Sequence, residues 1–317
     1  GVPTLYSALL QVPNGRHDVS TLEYGLCGAA PMPTEVMRVV EERVGIKILE
    51  GYGLTEATCI SSGNPPRGER RRGSIGLRLP GQEMKAVVLD ERGAHVRDCA
   101  VDEVGVIVVS GPNVFSGYRQ PQQNAGLWVD CADGRRWLNT GDLGRQDEDG
   151  YFWLTGRKKE LIIRGGHNID PATIEEPLHR HSDVELAAAV GRPDAHAGEL
   201  PVAYVQLKPG RSVTEADLAE FLKEQIGERA ALPKRIRIIE RMPLTAVGKI
   251  YKPELKRGEA KEALESALTQ AGVAFRAVEV ADDASRGMVA HVRIDGLAPA
   301  AEAQRVLGGF AVPFTLS

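Results

Sequence analysis

The sequence lacks the features that define several large classes of protein. No apolar run approaches the roughly eighteen residues of a membrane-spanning helix, so no transmembrane segment is predicted. The start, Gly1-Val2-Pro3, has neither a Met nor a basic stretch before an apolar one. This predicts that there is no signal peptide and that the chain is a piece of a longer protein. The 39 Lys and Arg against 43 Asp and Glu give a net charge of -4, which does not favour nucleic-acid binding.

Cysteine is scarce and widely spaced. The four thiols, Cys27, Cys59, Cys99 and Cys131, form no CxxC pair, and no group of histidines has the spacing of a zinc site. We therefore expect reduced, mostly structural cysteines in a cytoplasmic protein. A GxSxG motif is also missing, which removes the usual route to a serine hydrolase.

The 317 residues, 42% of them hydrophobic, are enough for one large or two moderate domains. Up to about residue 155 the pattern predicts a mixed α/β fold that is rich in strands towards its end. Predicted elements are strands at 47–49 and 104–109, a helix at 33–44, and the second strand of a hairpin at 151–156.

A charged, glycine-flanked stretch at 156–160 predicts a hinge. Beyond it the pattern predicts an α+β domain of about a hundred residues. Its predicted elements are strands at 161–164, 184–190, 202–207 and 235–239 and helices at 171–179, 214–226 and 253–268. The tail at 273–317 adds predicted strands at 274–280 and 289–294, a helix at 299–307 and a last strand.

The segment from Gly51 to Glu56 follows a strand and differs from a dinucleotide-binding GxGxxG motif, because Glu56 replaces the third glycine. With a bound cation, a carboxylate at this position favours the binding of a phosphate group and no longer repels it. Glu56 can then hold Mg²⁺, Thr55 can donate to a phosphate oxygen, and Tyr52 offers a ring for a base. An ordinary turn is the alternative.

Three further residues are candidates for nucleotide contacts. Asp142 closes a predicted strand at 137–139 and can accept both hydroxyls of a ribose. Arg157 supplies a fixed cation fifteen residues later. Lys249 follows a glycine in a segment that is not a Walker loop, and it can reach a neighbouring site as a point charge. A turn carboxylate and two surface cations are the alternatives, and the basic run at 67–72 is interpreted as a solvated loop.

Taken together, the order and spacing of these motifs resemble the adenylate-forming superfamily of acyl-CoA synthetases, peptide-synthetase adenylation domains and luciferases. The resemblance covers residues 1 to about 265, and the segment at 164–171 is most similar to the acyl-CoA synthetases. It is carried by the segments 25–33, 51–56, 140–142, 156–176 and 243–256.

The resemblance implies ATP or AMP, Mg²⁺ and coenzyme A as ligands. The implied adenine pocket and phosphate contacts are Gly28, Ala29, Ala30, Pro31, Glu50, Gly51, Tyr52, Gly53, Leu54 and Thr55. Asp142 and Arg157 would hold the ribose, Glu56 the metal, and Gly165 and Gly166 would lie beside the pantetheine tunnel. Thr55, Glu56 and Lys249 would be catalytic, Lys159 the hinge, and Gly53, Cys59 and Ile60 part of an acyl pocket.

The implied architecture is the C-terminal part of the family's large α/β domain (1–156), its small mobile α+β domain (157–270) and an extra α/β tail (271–317). The family's phosphate loop is missing, so we expect the C-terminal half of an acid–CoA ligase, inactive alone, that acts on medium- or long-chain fatty acids. Transfer of the acyl group to a carrier protein and a non-catalytic adenylate-binding module are the alternatives. The oligomeric state stays open.

Overall fold

The computed structural model describes residues 1–12, 18–157, 160–283, 287–294 and 297–317, with the side chains of 157 and 297–299 excepted. The chain divides into two compact units, Gly1–Lys159 and Glu160–Ser317. Among the helices described, none is both long and apolar enough to cross a membrane.

The first unit opens with two helices and a small sheet. Its elements are α1 (Pro3–Leu10), β1 (Tyr24–Cys27), α2 (Thr34–Val44), β2 (Lys47–Tyr52), β3 (Ser62–Gly63) and β4 (Leu77–Arg78), and the strands lie in the order β1-β2-β3-β4. β1 and β2 are parallel, and the other pairs are antiparallel. The apolar face of α2 is buried at Met37 and Val40, and the helix ends at Gly45, which has the positive φ typical of such ends.

A second sheet follows in the same unit. It contains β5 (Glu83–Leu89), β6 (His95–Asp98), β7 (Gly105–Ser110), β8 (Trp128–Asp130), β9 (Arg136–Gln146) and β10 (Phe152–Arg157). The order is β10-β9-β7-β5-β6, with β8 also on β9. The continuous apolar run at 106–109 is buried throughout β7, as expected for a strand covered on both faces.

Two sequence expectations need correction here. The sequence pattern predicts no helix at the start of the chain, whereas α1 is helical. It also predicts a strand that ends before Asp142, whereas β9 continues to Gln146. β9 bulges at residues 140–142, and Gly141 has φ of 73°, a conformation that an L-residue adopts only under strain. The predicted helix at 33–44 and the predicted hairpin strand agree with α2 and β10.

The second unit has a five-stranded sheet and a three-stranded sheet. Its elements are β11 (Ile162–Arg164), β12 (His167–Ile169), α3 (Ala172–Arg180), β13 (Val184–Asp194), β14 (Gly198–Leu207), α4 (Glu215–Gln225), β15 (Arg235–Ile238), α5 (Lys252–Gln270), β16 (Phe275–Asp283), β17 (Gly287–Ile294), α6 (Leu297–Leu307) and β18 (Phe314–Leu316). The orders are β12-β11-β14-β13, with β15 on β14, and β16-β17-β18. The predicted elements of this region agree in type with the observed ones.

A buried carboxylate joins α5 to the larger sheet. Glu259 has no solvent exposure. Its oxygens lie 2.7 Å from Arg192 Nη1, 2.8 Å from Arg237 Nε and 2.6 Å from the hydroxyl of Tyr204. These three partners come from β13, β15 and β14, so one side chain of α5 contacts three strands of the sheet.

We expect Glu259→Ala to destabilise the second unit strongly. Glu259→Ala removes the buried counter-charge of Arg192 and Arg237, which then keep only the partly exposed Glu262 as an acidic partner. Breaking a buried ion pair costs about 3–5 kcal/mol, and we expect a loss towards the lower end because Glu262 remains. Urea denaturation measures this loss. Glu265→Ala is the matched control on the same helix, since Glu265 lies 3.9 Å from Lys261 in a partly exposed pair and is expected to contribute only about 0.3–0.5 kcal/mol. Equal midpoints for the two variants would contradict the assigned role of Glu259.

Candidate active site

The candidate site of the first unit begins at the carboxyl ends of β1 and β2. Because these strands are parallel and Cys27 pairs with Glu50, Gly28 lies beside Gly51. A Cβ on Gly28 would be 3.0 Å from the carbonyl oxygen of Gly51. Carboxyl ends of adjacent parallel strands are the usual binding edge of α/β sheets. Two of the segments predicted to surround adenine therefore meet there.

The residues after β1 form a bend with one left-handed residue. Ala29 has φ of 73°, so Gly28, Ala29, Ala30 and Pro31 leave β1 through a left-handed residue before α2 begins. Non-glycine residues in this region of conformational space are uncommon and concentrate at functional positions.

Glu50 is a buried carboxylate at the end of β2. It is 8% exposed, and its Oε2 accepts a hydrogen bond of 2.8 Å from the backbone amide of Gly73. Burial, followed by the negative charge of Glu50, raises the pKa of the neighbouring Cys27 thiol to about 12. Cys27 is therefore a neutral thiol at physiological pH, and the prediction of a structural cysteine at this position agrees with its environment.

Gly53 lies directly against the backbone of Cys59 and Ile60, in the loop that follows β2. A Cβ on Gly53 would lie 1.7 Å from the carbonyl oxygen of Cys59 and 2.6 Å from Cα of Ile60. Thr58 and Cys59 have φ of 52° and 72°, and the amide of Cys59 donates to the carbonyl of Leu54. The three residues predicted to line an acyl pocket are thus in direct contact, with Cys59 and Ile60 exposed.

We expect Gly53→Ala to disrupt this loop. The added methyl group overlaps backbone atoms, which cannot move aside as the end of a side chain can, so the loop must shift. A loss of about 1–3 kcal/mol is expected for such overpacking, together with reduced nucleotide binding. Gly63→Ala, on the adjacent strand, is the control, because nothing lies within 4 Å of its Cβ position. Denaturant unfolding compares them, and equal stability would contradict the close approach.

Tyr52 and Asp142 are brought together from positions ninety residues apart. Both are buried, and the Tyr52 hydroxyl donates a hydrogen bond of 2.5 Å to Oδ2 of Asp142. The β9 bulge sets the position of Asp142, whose amide donates to Thr140 Oγ1 at 3.1 Å. Arg157 lies opposite Asp142 in the register of β9 and β10. The side chain of Arg157 is outside what the structure describes, and so is Lys159, the predicted hinge.

Glu56 has a hydrogen-bond partner that the sequence pattern does not predict. Thr55 and Glu56 lie in a short 3₁₀ turn after β2, and the hydroxyl of Tyr118 donates a hydrogen bond to Oε1 of Glu56. This bond raises the pKa of Tyr118 to about 12. The two residues are 62 positions apart, so no local motif indicates the pair.

In the second unit, Lys249 follows a tight turn. The amide of Gly248 donates to the carbonyl of Thr245 at 2.9 Å, and the amide of Lys249 donates to Thr245 Oγ1 at 3.1 Å. Gly248 has φ of 79°, which explains the glycine. Lys249 itself is half-buried, and among the described residues no ion pair of its ammonium group is found.

Gly165 and Gly166 form the two-residue turn between β11 and β12. Both have positive φ, at 56° and 85°, as a type I′ hairpin turn requires. Neither has an atom within 4 Å of its Cβ position. The turn is therefore open on its outer side, which is compatible with a close approach of a ligand as well as with a purely structural role.

Two family models and several known proteins match this chain. Residues 1–119 match the model of the AMP-binding enzymes, and residues 173–249 match that of the AMP-binding enzyme C-terminal domain. The chain is 45% identical over 299 residues to a marinolic acid–CoA ligase of Pseudoalteromonas sp. (strain SANK 73390), covering 92% of this chain and 44% of the relative. It is 37% identical to a long-chain-fatty-acid–CoA ligase of Bacillus subtilis (strain 168), covering 82% of this chain and 45% of the relative.

Among solved structures, ATP-bound MatB from Rhodopseudomonas palustris superposes with a TM-score of 0.73 at 32% identity, over 83% of this chain and 51% of that one. The chain thus spans about half the length of the relatives that it matches. It belongs to the family of AMP-binding, adenylate-forming enzymes and corresponds to their C-terminal part. The resemblance inferred from the motifs, and the mixed α/β fold with it, are confirmed.

Proposed function

We propose that this chain is the C-terminal half of an ATP-dependent acid–CoA ligase that works through an acyl-adenylate. The observation that carries the proposal is the meeting of the 28–31 turn, the 51–56 motif and buried Asp142 at one edge of the first unit. The relatives are CoA ligases by name. A binding module would have no need of a lysine such as Lys249 on a second unit.

The residues divide into nucleotide-binding and reacting groups in this proposal. Asp142 accepts the ribose hydroxyls and Tyr52 lies against the base, while their mutual hydrogen bond fixes both side chains. Thr55 donates to the α-phosphate. Lys249 bridges the acid's carboxylate and the α-phosphate as negative charge develops there, which is where a fixed cation lowers the barrier most.

Glu56 is the residue that would hold Mg²⁺. Its carboxylate and the adjacent Thr55 hydroxyl are oxygen ligands of the kind that Mg²⁺ combines with substrate phosphates and water. Tyr118 occupies only Oε1, so a second carboxylate oxygen remains for the cation, and the donor set fits. When bound, Mg²⁺ neutralises charge on the phosphates.

Two half-reactions are proposed. The acid's carboxylate attacks the α-phosphorus of ATP, forming acyl-AMP and releasing pyrophosphate. The CoA thiol, after losing its proton, then attacks the acyl carbonyl and releases AMP. In the proposed division, Lys249 serves the first reaction, and rotation of the 157–270 domain about Lys159 brings Gly165 and Gly166 beside the thiol in the second.

An exposed sheet edge supports the proposal that the active ligase is longer. Within the described ranges β1 pairs only with β2. The apolar residues Leu22, Tyr24 and Leu26, which lie in β1 and just before it, are 51%, 39% and 65% exposed. Exposed apolar residues that lie together mark surfaces for contact with another protein segment. We propose that an N-terminal half, carrying the phosphate loop, packs here, and that the chain alone has little activity.

The substrate is proposed to be a medium- or long-chain carboxylic acid. Cys59 and Ile60 offer an apolar path beside Gly53, and the two relatives act, by name, on marinolic acid and on long-chain fatty acids. The match to the marinolic acid ligase covers 92% of the chain, so it includes part of the 271–317 tail. ATP–pyrophosphate exchange by the complete ligase with acids of two to eighteen carbons, followed by CoA, tests this.

Exchange followed by thioester supports the ligase. Exchange without a thioester would favour transfer to a carrier protein, and the absence of exchange with every acid would favour a non-catalytic adenylate-binding module. Both results would contradict the proposed function.

We expect Lys249→Ala in the complete ligase to lower the rate of pyrophosphate exchange by about a hundredfold or more, because one charged contact to the transition state is lost. Thioester formation from supplied acyl-AMP should stay near the unsubstituted rate. Lys261→Ala is the control, since Lys261 is exposed and lies 3.9 Å from Glu265. Equal losses in both half-reactions would contradict the division of labour.

A further inference from the structure

A loop after β7 is bonded to the turn that carries Glu56. We call residues 113–118 the clamp loop. The backbone amide of Phe115 donates to the carbonyl oxygen of Glu56 at 2.8 Å, and Nδ2 of Asn113 donates to the carbonyl oxygen of Ala57 at 2.7 Å. Both hydrogen bonds are accepted by backbone carbonyls of the turn, so they do not depend on the side chain of Glu56.

Tyr118 ends the clamp loop and is itself held in place. Its amide donates to Oδ1 of Asn124 at 2.7 Å, and Nδ2 of Asn124 donates to its carbonyl at 3.1 Å. Its ring packs edge-on against Phe115, with centroids 4.9 Å apart. These contacts fix the ring and therefore the position of its hydroxyl group, which donates to Oε1 of Glu56.

The single hydroxyl contact orients the carboxylate. A carboxylate that rotates freely presents either oxygen, whereas donation to Oε1 selects one orientation of the group. For the other oxygen, Oε2, no hydrogen-bond partner is found within the described ranges. A carboxylate accepts several hydrogen bonds or metal contacts at once, so Oε2 can serve a cation while Tyr118 holds Oε1.

We propose that Tyr118 is a positioning residue that holds the Glu56 carboxylate for the Mg²⁺–nucleotide complex and thereby sets the rate of acyl-adenylate formation. This inference rests on the proposed function. It extends that function to a residue on a separate loop. Residues that orient metal ligands commonly change metal affinity or activity by about ten- to a hundredfold when they are removed.

The test is Tyr118→Phe in the complete ligase. This change removes only the hydroxyl and keeps the ring that packs on Phe115. Tyr151→Phe is the matched control, since the Tyr151 hydroxyl donates to a backbone carbonyl, that of Glu69, in the same unit. Because Tyr118 is 37% exposed, thermal unfolding of Tyr118→Phe should stay close to that of the unsubstituted protein. Tyr151 is 5% exposed, so Tyr151→Phe should lose about 1–3 kcal/mol of stability but keep the Mg²⁺ dependence of the unsubstituted protein.

For Tyr118→Phe we expect kcat of pyrophosphate exchange to fall about tenfold and the Mg²⁺ concentration for half-maximal rate to rise. KM for the acid and the rate of thioester formation from supplied acyl-AMP should not change. Binding of Mn²⁺ with a non-hydrolysable ATP analogue, followed by electron paramagnetic resonance, should weaken by a similar factor. In a Glu56→Gln background the same change should have no further effect, because Tyr118 acts only through that carboxylate.

Three results would overturn the proposed role of Tyr118. Unchanged Mg²⁺ dependence and Mn²⁺ binding in Tyr118→Phe, in an enzyme that exchanges pyrophosphate, would overturn the role of Tyr118 alone. An equal effect of Tyr118→Phe with and without Glu56 would also overturn it. An unsubstituted ligase that fails to exchange pyrophosphate would overturn the proposed function and this inference with it.

Discussion

Parallel pairing between β1 and β2 aligns the ends of two strands, and the geometry of the candidate site follows from that alignment. Cys27 opposite Glu50 places the 28–31 turn beside the 51–56 motif. A side chain at Gly28 would be crowded, because its Cβ would lie 3.0 Å from the carbonyl oxygen of Gly51. Close packing of the backbone is therefore one reason for glycine at positions 28 and 53, beside the space that a ligand needs.

The second sheet supplies the polar groups that complete this edge. Asp142 and Tyr118 come from the bulge of β9 and from the clamp loop after β7, and they meet Tyr52 and Glu56 respectively. Each pair joins a residue of the 51–56 motif to the other sheet through one hydroxyl and one carboxylate. Pre-oriented carboxylates are what nucleotide and cation binding require, since little reorganisation is left for the moment of reaction.

Sequence reasoning could identify the family and the type of nearly every element in the second unit, because those signals are local: periodicity, glycine turns and short motifs. It could not identify contacts between distant segments. Tyr118 and Glu56 are 62 positions apart. The basic run at 67–72 was interpreted as a solvated loop, yet Arg70 pairs with half-buried Glu41, and Arg71 lies 2.7 Å from Asp147. The prediction that a strand ends before Asp142 was also wrong, because a bulge and a strand end have the same local sequence pattern.

Binding of a non-hydrolysable acyl-adenylate, an acyl-sulfamoyl adenosine, tests the central claim most directly, because it needs no turnover. Calorimetry on the complete ligase should show tight binding, and Asp142→Asn should weaken it by about ten- to a hundredfold, because one charged acceptor of the ribose hydroxyls, worth about 1.5–3 kcal/mol, is lost. Asp130→Asn, an exposed change in the same sheet, should leave binding unchanged. Equal affinity of all three proteins would contradict an adenylate site at the carboxyl ends of β1 and β2.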